Sequence, residues 1–124
     1  MNQKVILIVE DEIITAMEIE SCLTKLGYKV CGIVSSGEKA IKRISENGIN
    51  LIFMDINLDG KMDGIEATEI IHSKYNIPVV FLTAFAEKEK GLRSRLSFPF
   101  GFLAKPFNDN MLKLTVDSHL GPAL

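Results

Sequence analysis

The sequence predicts an α/β fold, a doubly wound parallel sheet of five strands accompanied by five helices. The first observation behind this prediction is that short apolar runs alternate with amphipathic segments of helical period. The second is that the clearest apolar run, Leu51 to Met54, leads directly into the carboxylate of Asp55 and then into a stretch rich in Asp and Gly. Continuous apolar runs suit strands that helices cover on both faces, and ligands bind beyond the carboxyl ends of such strands.

The strands are predicted from apolar, mostly β-branched runs that turn-forming residues separate. In order, these runs are Val5–Val9, Lys29–Val34, Leu51–Asp55, Val79–Leu82 and Phe100–Leu103. Crossover connections through helices make the sheet parallel. The second run is the least apolar, as an edge strand should be, which fits the flavodoxin-like strand order 2-1-3-4-5.

Helices are predicted where apolar residues recur every three to four positions. The segments are Ile14–Leu26, Ala40–Ile44, Gly64–Tyr75, Glu87–Leu96 and Leu112–Leu120. Gly27 is the predicted C-cap of the first helix, and Ser35 with Glu38 has the spacing of a capping box for the second. Asn108 or Asp109 is the predicted N-cap of the last. The fourth segment is polar and contains a glycine, so a weak helix is expected there.

The composition is that of one globular domain, with 124 residues, 47% hydrophobic content and a net charge of −2. This charge balance gives no electrostatic reason to expect binding to nucleic acid or to an anionic membrane. No apolar run approaches the ~18 residues of a membrane span, and no secretory signal precedes Lys4. We interpret Cys22 and Cys31 as buried free thiols of a cytoplasmic protein, because they lack metal-ligand spacing.

Polar side chains stand at the predicted carboxyl ends of four strands. They are Glu10 and Asp11 after strand one, Asp55 at strand three, Thr83 at strand four and Lys105 after strand five. In a parallel sheet these ends share one edge, so we expect the groups to converge. Clustered carboxylates repel one another unless a cation lies among them, and Mg²⁺ suits a few carboxylates completed by water and phosphate oxygens. Lys105 offers a positive charge for an anion, Thr83 a hydroxyl donor, and Asp55 a carboxylate that can attack phosphorus.

Four short motifs follow one another at these strand ends, Glu10-Asp11, Met54-Asp55, Thr83-Ala84 and Lys105-Pro106-Phe107. Their order and spacing resemble the receiver domain of two-component response regulators. The resemblance implies one receiver domain over residues 1–124, with its core at about 4–120. It implies a switch phosphorylated by a sensor histidine kinase or a phosphotransfer domain, and read by a downstream protein, by a fused output domain or within a homodimer.

Carried over residue by residue, the resemblance implies a metal site and a phosphoacceptor. Asp55 resembles the phosphoacceptor, and Asp11 with Asp55 resembles the pair of carboxylates that hold Mg²⁺, for which Mn²⁺ would substitute. Glu10 resembles the acidic neighbour that acts through water, and the backbone carbonyl of Asn57 resembles the third protein ligand. The domain would catalyse only its own phosphorylation and slow dephosphorylation, so it would not be an enzyme in the usual sense.

The resemblance also implies switch residues. Thr83 resembles the hydroxyl that moves to the phosphoryl group, and Lys105 resembles its cationic partner, followed by a cis bond to Pro106. Phe102 resembles the switch aromatic, although many members have Tyr there and Phe lacks the hydroxyl. Phe85, two residues after Thr83, suggests a hypothesis of its own, that a bulky apolar side chain excludes water and slows hydrolysis of the aspartyl-phosphate.

Three other interpretations stay open. A small phosphatase with an aspartate nucleophile would have a second Asp where this chain has Asn57. An FMN-binding flavodoxin would need a Ser/Thr/Gly-rich phosphate-binding loop at the position of Glu10-Asp11-Glu12. A pseudo-receiver would bind partners without phosphorylation. The chain could be a stand-alone receiver or one cut from a larger regulator or hybrid kinase.

Overall fold

The computed structural model describes residues 3–46, 48–58 and 60–121. The strands are β1 (Val5–Val9), β2 (Lys29–Val34), β3 (Leu51–Asp55), β4 (Val79–Thr83) and β5 (Gly101–Ala104). The helices are α1 (Ile13–Lys25), α2 (Gly37–Ile44), α3 (Gly64–Lys74), α4 (Lys88–Arg95) and α5 (Asp109–Leu120). The strands form one parallel sheet in the order β2-β1-β3-β4-β5. The predicted fold class and strand order are therefore confirmed.

The sheet has an apolar core on each face. Residues of α1 and α5 pack on one face, and residues of α2, α3 and α4 pack on the other. Successive residues of β3 alternate between them, since Phe53 belongs to the first core, and Ile52 and Met54 to the second. Both faces of β3 are buried, which explains its continuous apolar run. None of the helices in the described part of the chain is long and apolar enough to cross a membrane.

Strand β2 forms one edge of the sheet, and a side chain from α2 covers part of it. The guanidinium of Arg43 donates to the carbonyl oxygen of Cys31. Gly32 leaves room for this contact, because a Cβ there would lie 2.6 Å from Arg43 Nη2. Cys31 is half-buried rather than buried as predicted, because it lies on this edge strand, whereas Cys22 is buried in α1.

The helix caps are close to those predicted, with one correction. Ser36, not Ser35, caps α2, because the Ser36 hydroxyl accepts from the Lys39 N–H at 3.2 Å. Asn108 caps α5, and its side chain accepts from the Met111 N–H at 2.8 Å. Gly27, just after α1, has a φ of 97°, the left-handed conformation that a glycine adopts without strain.

The segment before β5 packs its aromatic side chains against the core, so β5 begins at Gly101 rather than at Phe100. The ring of Phe100 meets Phe81 edge to face at 5.4 Å between centroids. The Phe98 ring stacks on His72, with 3.8 Å between centroids. Both phenylalanines are partly buried against the core on the α2–α3–α4 face of the sheet.

Candidate functional site

The carboxyl ends of four strands place the predicted site residues along one edge of the sheet. Glu10 directly follows β1, Asp55 ends β3, Thr83 ends β4 and Lys105 directly follows β5. The pairing of β3 with β4 sets Asp55 opposite Leu82, and the pairing of β4 with β5 sets Thr83 opposite Ala104. The register therefore brings the ends of the four strands to the same level.

Three carboxylates form the centre of the site. Glu10, Asp11 and Asp55 each offer a carboxylate oxygen, and these oxygens lie within 4.8 Å of one another. Glu10 is 1% exposed and Asp55 is 4% exposed, whereas Asp11 is half-buried. Burial, with Asp55 beside it, raises the pKa of Glu10 to about 8. Burial and the neighbouring carboxylate therefore disfavour the ionised form of Glu10 in this site.

Lys105 brings a positive charge to these acids. Its Nζ lies 2.6 Å from Glu10 Oε1, 3.0 Å from Asp55 Oδ2 and 3.5 Å from Glu12 Oε1. Burial lowers the pKa of Lys105, but hydrogen bonds to Glu10 and Asp55 raise it more, so the net shift is upward. The Lys105 N–H donates to the Thr83 carbonyl oxygen at 2.7 Å, and the bond to Pro106 is cis.

The start of α3 packs directly on the backbone of Asp55. The Gly64 N–H donates to the Ile56 carbonyl oxygen at 3.0 Å. A Cβ on Gly64 would lie 2.0 Å from the carbonyl oxygen of Asp55, so only glycine fits without a shift. The sequence predicted Gly64 only as the first residue of the third helix. A glycine at the start of a helix, soon after the strand that ends at Asp55, was the available signal.

The loops after β3 and β4 meet beside the acids. The Asn57 N–H donates to Asp55 Oδ1 at 2.9 Å, and the Phe85 N–H donates to the Thr83 hydroxyl at 3.1 Å. Lys88, which the sequence analysis did not single out, connects the two loops, with its Nζ 3.3 Å from Asn57 Oδ1 and 5.4 Å from the Phe85 ring centroid. The contact of Lys88 with Asn57 depends on how α4 is placed against the loop after β3. No local sequence signal shows that placement.

The two phenylalanines of the sequence hypotheses differ in exposure. Phe85 is 48% exposed, so its ring lies at the surface, two residues from Thr83. Phe102 is partly buried in β5 against the core on the α2–α3–α4 face, opposite Phe81 in the strand pairing. Phe102 therefore lies two residues before the carboxyl end of β5, whereas Asp55 and Thr83 lie at the carboxyl ends of their strands.

The donor set fits Mg²⁺. The ion prefers oxygen ligands at ~2.1 Å, so opposite ligands of its octahedron lie ~4.2 Å apart. The three carboxylate oxygens already lie within 4.8 Å of one another, without a histidine or thiol in the group. Two carboxylates with waters completing the shell are typical of Mg²⁺ sites. Glu10, Asp11 and Asp55 are therefore the candidate ligands among the described residues.

The fold and this acidic site define an α/β domain of the signal-receiver class. A family model for the response regulator receiver domain matches residues 6–117. The chain therefore belongs to the response regulator receiver domain family.

Individual relatives agree with this assignment. The chain is 33% identical to the transcriptional regulatory protein PdtaR of Mycobacterium tuberculosis, over 83% of this chain and 50% of PdtaR. It is 35% identical to the phyllosphere-induced regulator PhyR of Methylorubrum extorquens, over 82% of this chain and 38% of PhyR. The chain thus spans about half the length, or less, of these curated relatives.

A solved structure supports the same family assignment. The receiver domain of sensor histidine kinase PA1611 from Pseudomonas aeruginosa is 30% identical to this chain, with a TM-score of 0.82. The match covers 97% of this chain and 99% of that one. That structure has a magnesium ion coordinated in its active-site cleft.

Proposed function

We propose that this chain is a phosphoacceptor switch in which Asp55 takes a phosphoryl group from the phosphohistidine of a histidine kinase or phosphotransfer domain. One observation carries the proposal. Asp55 is buried at a strand end, Asn57 N–H holds one of its carboxylate oxygens, and Lys105 pairs with the other, inside a group of acids suited to Mg²⁺. The switch domain comprises about residues 4–120 and works in the cytoplasm.

The transfer needs a nucleophile, a positioned donor and neutralised charge. An Asp55 carboxylate oxygen forms a bond to phosphorus while the phosphorus–nitrogen bond of the donor breaks, and its electron pair returns to the imidazole. Asp11, Asp55 and the Asn57 carbonyl would hold Mg²⁺, with Glu10 acting through water. When bound, the ion neutralises charge on the phosphoryl oxygens. Lys105 turns from Asp55 to the new phosphoryl group, the stronger anion beside it.

The switch follows from the new charge. The Thr83 hydroxyl, which accepts from the Phe85 N–H at 3.1 Å, turns to donate to a phosphoryl oxygen. The hydrogen bond between the Phe85 N–H and the Thr83 hydroxyl is then lost. Its loss biases α4 and Phe102 toward a second arrangement. A downstream protein, a fused output domain or a second copy of the chain reads the changed surface. The domain catalyses only its own phosphorylation and dephosphorylation.

An exposed apolar patch beside the site supports a protein as the phosphodonor. Ile13, Ile14 and Met17 of α1 are each more than half exposed. They lie in the first turns of α1, which begins two residues after Asp11, so they flank the carboxylates on the α1 side. Exposed apolar groups of this kind mark protein contacts more often than ordinary surface. A docking partner can cover these side chains while it delivers its phosphohistidine to Asp55.

The proposal predicts a Mg²⁺-dependent gain of one phosphoryl mass. Purified chain is incubated with acetyl phosphate, with Mg²⁺ or with EDTA, and its intact mass is measured. We expect one added phosphoryl group with Mg²⁺ and none with EDTA, because the ion neutralises the acids that otherwise repel the donor. No gain, with no Mg²⁺ binding, would support a domain that binds partners without phosphorylation. Turnover of an external phosphomonoester would support the phosphatase.

A second prediction concerns Phe85. Phe85→Glu is expected to shorten the half-life of the aspartyl-phosphate severalfold, because a carboxylate at the edge of the site holds water where an apolar ring does not. The decay is followed by intact mass after the donor is removed. Leu114→Glu is the matched control, since Leu114 is also a large, exposed apolar residue but lies on α5. Equal half-lives for both variants and the wild type would contradict the water-exclusion hypothesis.

A further inference from the structure

Lys88 joins the two loops that border the phosphoacceptor. We propose that it is a positioning residue that lengthens the life of the phosphoryl group on Asp55, by holding Asn57 and Phe85 across the mouth of the site. We call its two side-chain contacts the Lys88 bridge. This inference rests on the proposed function and extends it from how the phosphoryl group arrives to how long it stays.

The Lys88 bridge completes a continuous series of contacts from the acceptor to the switch hydroxyl. Asp55 Oδ1 accepts from the Asn57 N–H at 2.9 Å, and Asn57 Oδ1 accepts from Lys88 Nζ at 3.3 Å. The Lys88 N–H donates to the Phe85 carbonyl oxygen at 3.0 Å, and the Phe85 N–H donates to the Thr83 hydroxyl at 3.1 Å. The loops after β3 and β4 therefore meet through the side chain of the first residue of α4.

The chemistry that the bridge affects is hydrolysis. A water oxygen forms a bond to phosphorus, the bond from phosphorus to the Asp55 oxygen breaks, and its electron pair stays on the Asp55 carboxylate. The water proton leaves with the inorganic phosphate or passes to solvent. We infer that the side-chain amide oxygen of Asn57, two residues from Asp55, accepts a hydrogen bond from the attacking water. Lys88 Nζ already donates to that oxygen at 3.3 Å, so it competes with the water for one of the two lone pairs.

The contact of Lys88 with Phe85 should also slow hydrolysis of the aspartyl-phosphate. The Lys88 ammonium lies 5.4 Å from the centroid of the Phe85 ring, within the range of a cation–π contact. Phe85 is about half exposed, so its own packing holds the ring weakly. The ammonium therefore helps to hold the apolar ring of Phe85 in the loop after β4, two residues from Thr83. Loss of Lys88 frees both the amide oxygen and the ring.

The expected effect is modest, because both contacts are exposed to solvent. We expect Lys88→Ala to speed the decay of the phosphoryl group about fivefold, which corresponds to ~1 kcal/mol in the barrier. Lys88→Arg keeps a cation and donors at the same place, so it should restore most of the wild-type lifetime. A residue with a merely structural role would change thermal stability instead, and we expect the unfolding temperatures of both variants to match the wild type.

The experiment loads each protein with acetyl phosphate and Mg²⁺, removes the donor, and follows the phosphorylated mass with time. Lys90→Ala is the matched control, since Lys90 is an exposed lysine on the same helix that forms, among the described residues, no hydrogen bond with Asn57 and no cation–π contact with Phe85. We expect it to decay as the wild type does. In an Asn57→Ala, Phe85→Ala background, Lys88→Ala should add no further acceleration, because the groups that the lysine positions are gone.

The outcomes distinguish a failure of the proposed role of Lys88 from a failure of the proposed phosphoacceptor function. A wild type that takes up no phosphoryl group overturns the proposed function and the inference with it. A wild type that is loaded but decays at the same rate as Lys88→Ala, or more quickly, overturns the inference alone. The inference is likewise overturned if Lys88→Ala acts fully in the background without the two side chains.

Discussion

Asp55→Asn is expected to abolish phosphoryl uptake at every Mg²⁺ concentration, whereas Asp11→Asn should only raise the Mg²⁺ concentration that uptake requires, by roughly tenfold or more. The difference follows from the two proposed roles. Asp55 would be both metal ligand and nucleophile, and an amide in its place cannot form the bond to phosphorus. Asp11 would supply only a ligand, and a higher concentration of the ion compensates for weaker binding.

The measurement is a Mg²⁺ titration of phosphoryl uptake from acetyl phosphate, read by intact mass, for the wild type and both variants. Asp117→Asn is the control, because it removes a carboxylate from α5 while the site acids stay intact. Uptake by Asp55→Asn at high Mg²⁺ would show that another residue is the acceptor. Failure of Asp11→Asn at every concentration would show that Asp11 does more than hold the ion.

The convergence of the site residues could be predicted, because it depends on topology alone. Once the strands are parallel and their order is known, the residues that follow them must share one edge. The structure indeed brings Glu10, Asp11, Asp55 and Lys105 together, with Lys105 Nζ within 3.0 Å of two of the carboxylates. The burial of each acid needed the fold, since Glu10 is buried beside Lys105 while Glu12 is largely exposed.

Features that depend on the position of one element against another could not be predicted. Lys88 contacts Asn57 only because α4 begins beside the loop after β3, and two residues that are 31 positions apart in the chain give no local sign of this contact. The choice between Ser35 and Ser36 as the cap of α2 depends on a single-residue shift between identical side chains. Periodicity locates a helix well and its first residue less well.

Gly64 is a further case of this kind, and it gives the prediction with the largest expected effect on stability. Gly64→Ala should lower the free energy of unfolding by about 3 kcal/mol, the upper part of the usual range for overpacking a filled site. The added Cβ would lie 2.0 Å from the Asp55 carbonyl oxygen and 3.0 Å from a side-chain carbon of Met54. Since the first obstacle is backbone, no rotamer change relieves it, and β3 or α3 must move.

Gly91→Ala is the matched control, because it makes the same chemical change in another helix. Neither glycine has a positive φ, and a Cβ on Gly91 meets nothing within 4 Å. Alanine should therefore stabilise α4, by about 0.5–1 kcal/mol, since it removes the entropic cost of a glycine inside a helix. The two substitutions are thus expected to change the free energy of unfolding in opposite directions. The space for a Cβ differs between the two positions, and at neither does a positive φ require glycine.

Urea unfolding gives both free energies, and phosphoryl uptake measured on the folded fraction tests the link to function. The clash at Gly64 falls on the backbone of the proposed acceptor, so uptake by folded Gly64→Ala should fall as well as stability. A chemical site usually tolerates less displacement than a fold does, because ~1 Å at the reacting atoms can cost two orders of magnitude in rate. A variant that loses stability but takes up phosphoryl groups at the wild-type rate would show that α3 moves away and that β3 holds Asp55 in place by itself.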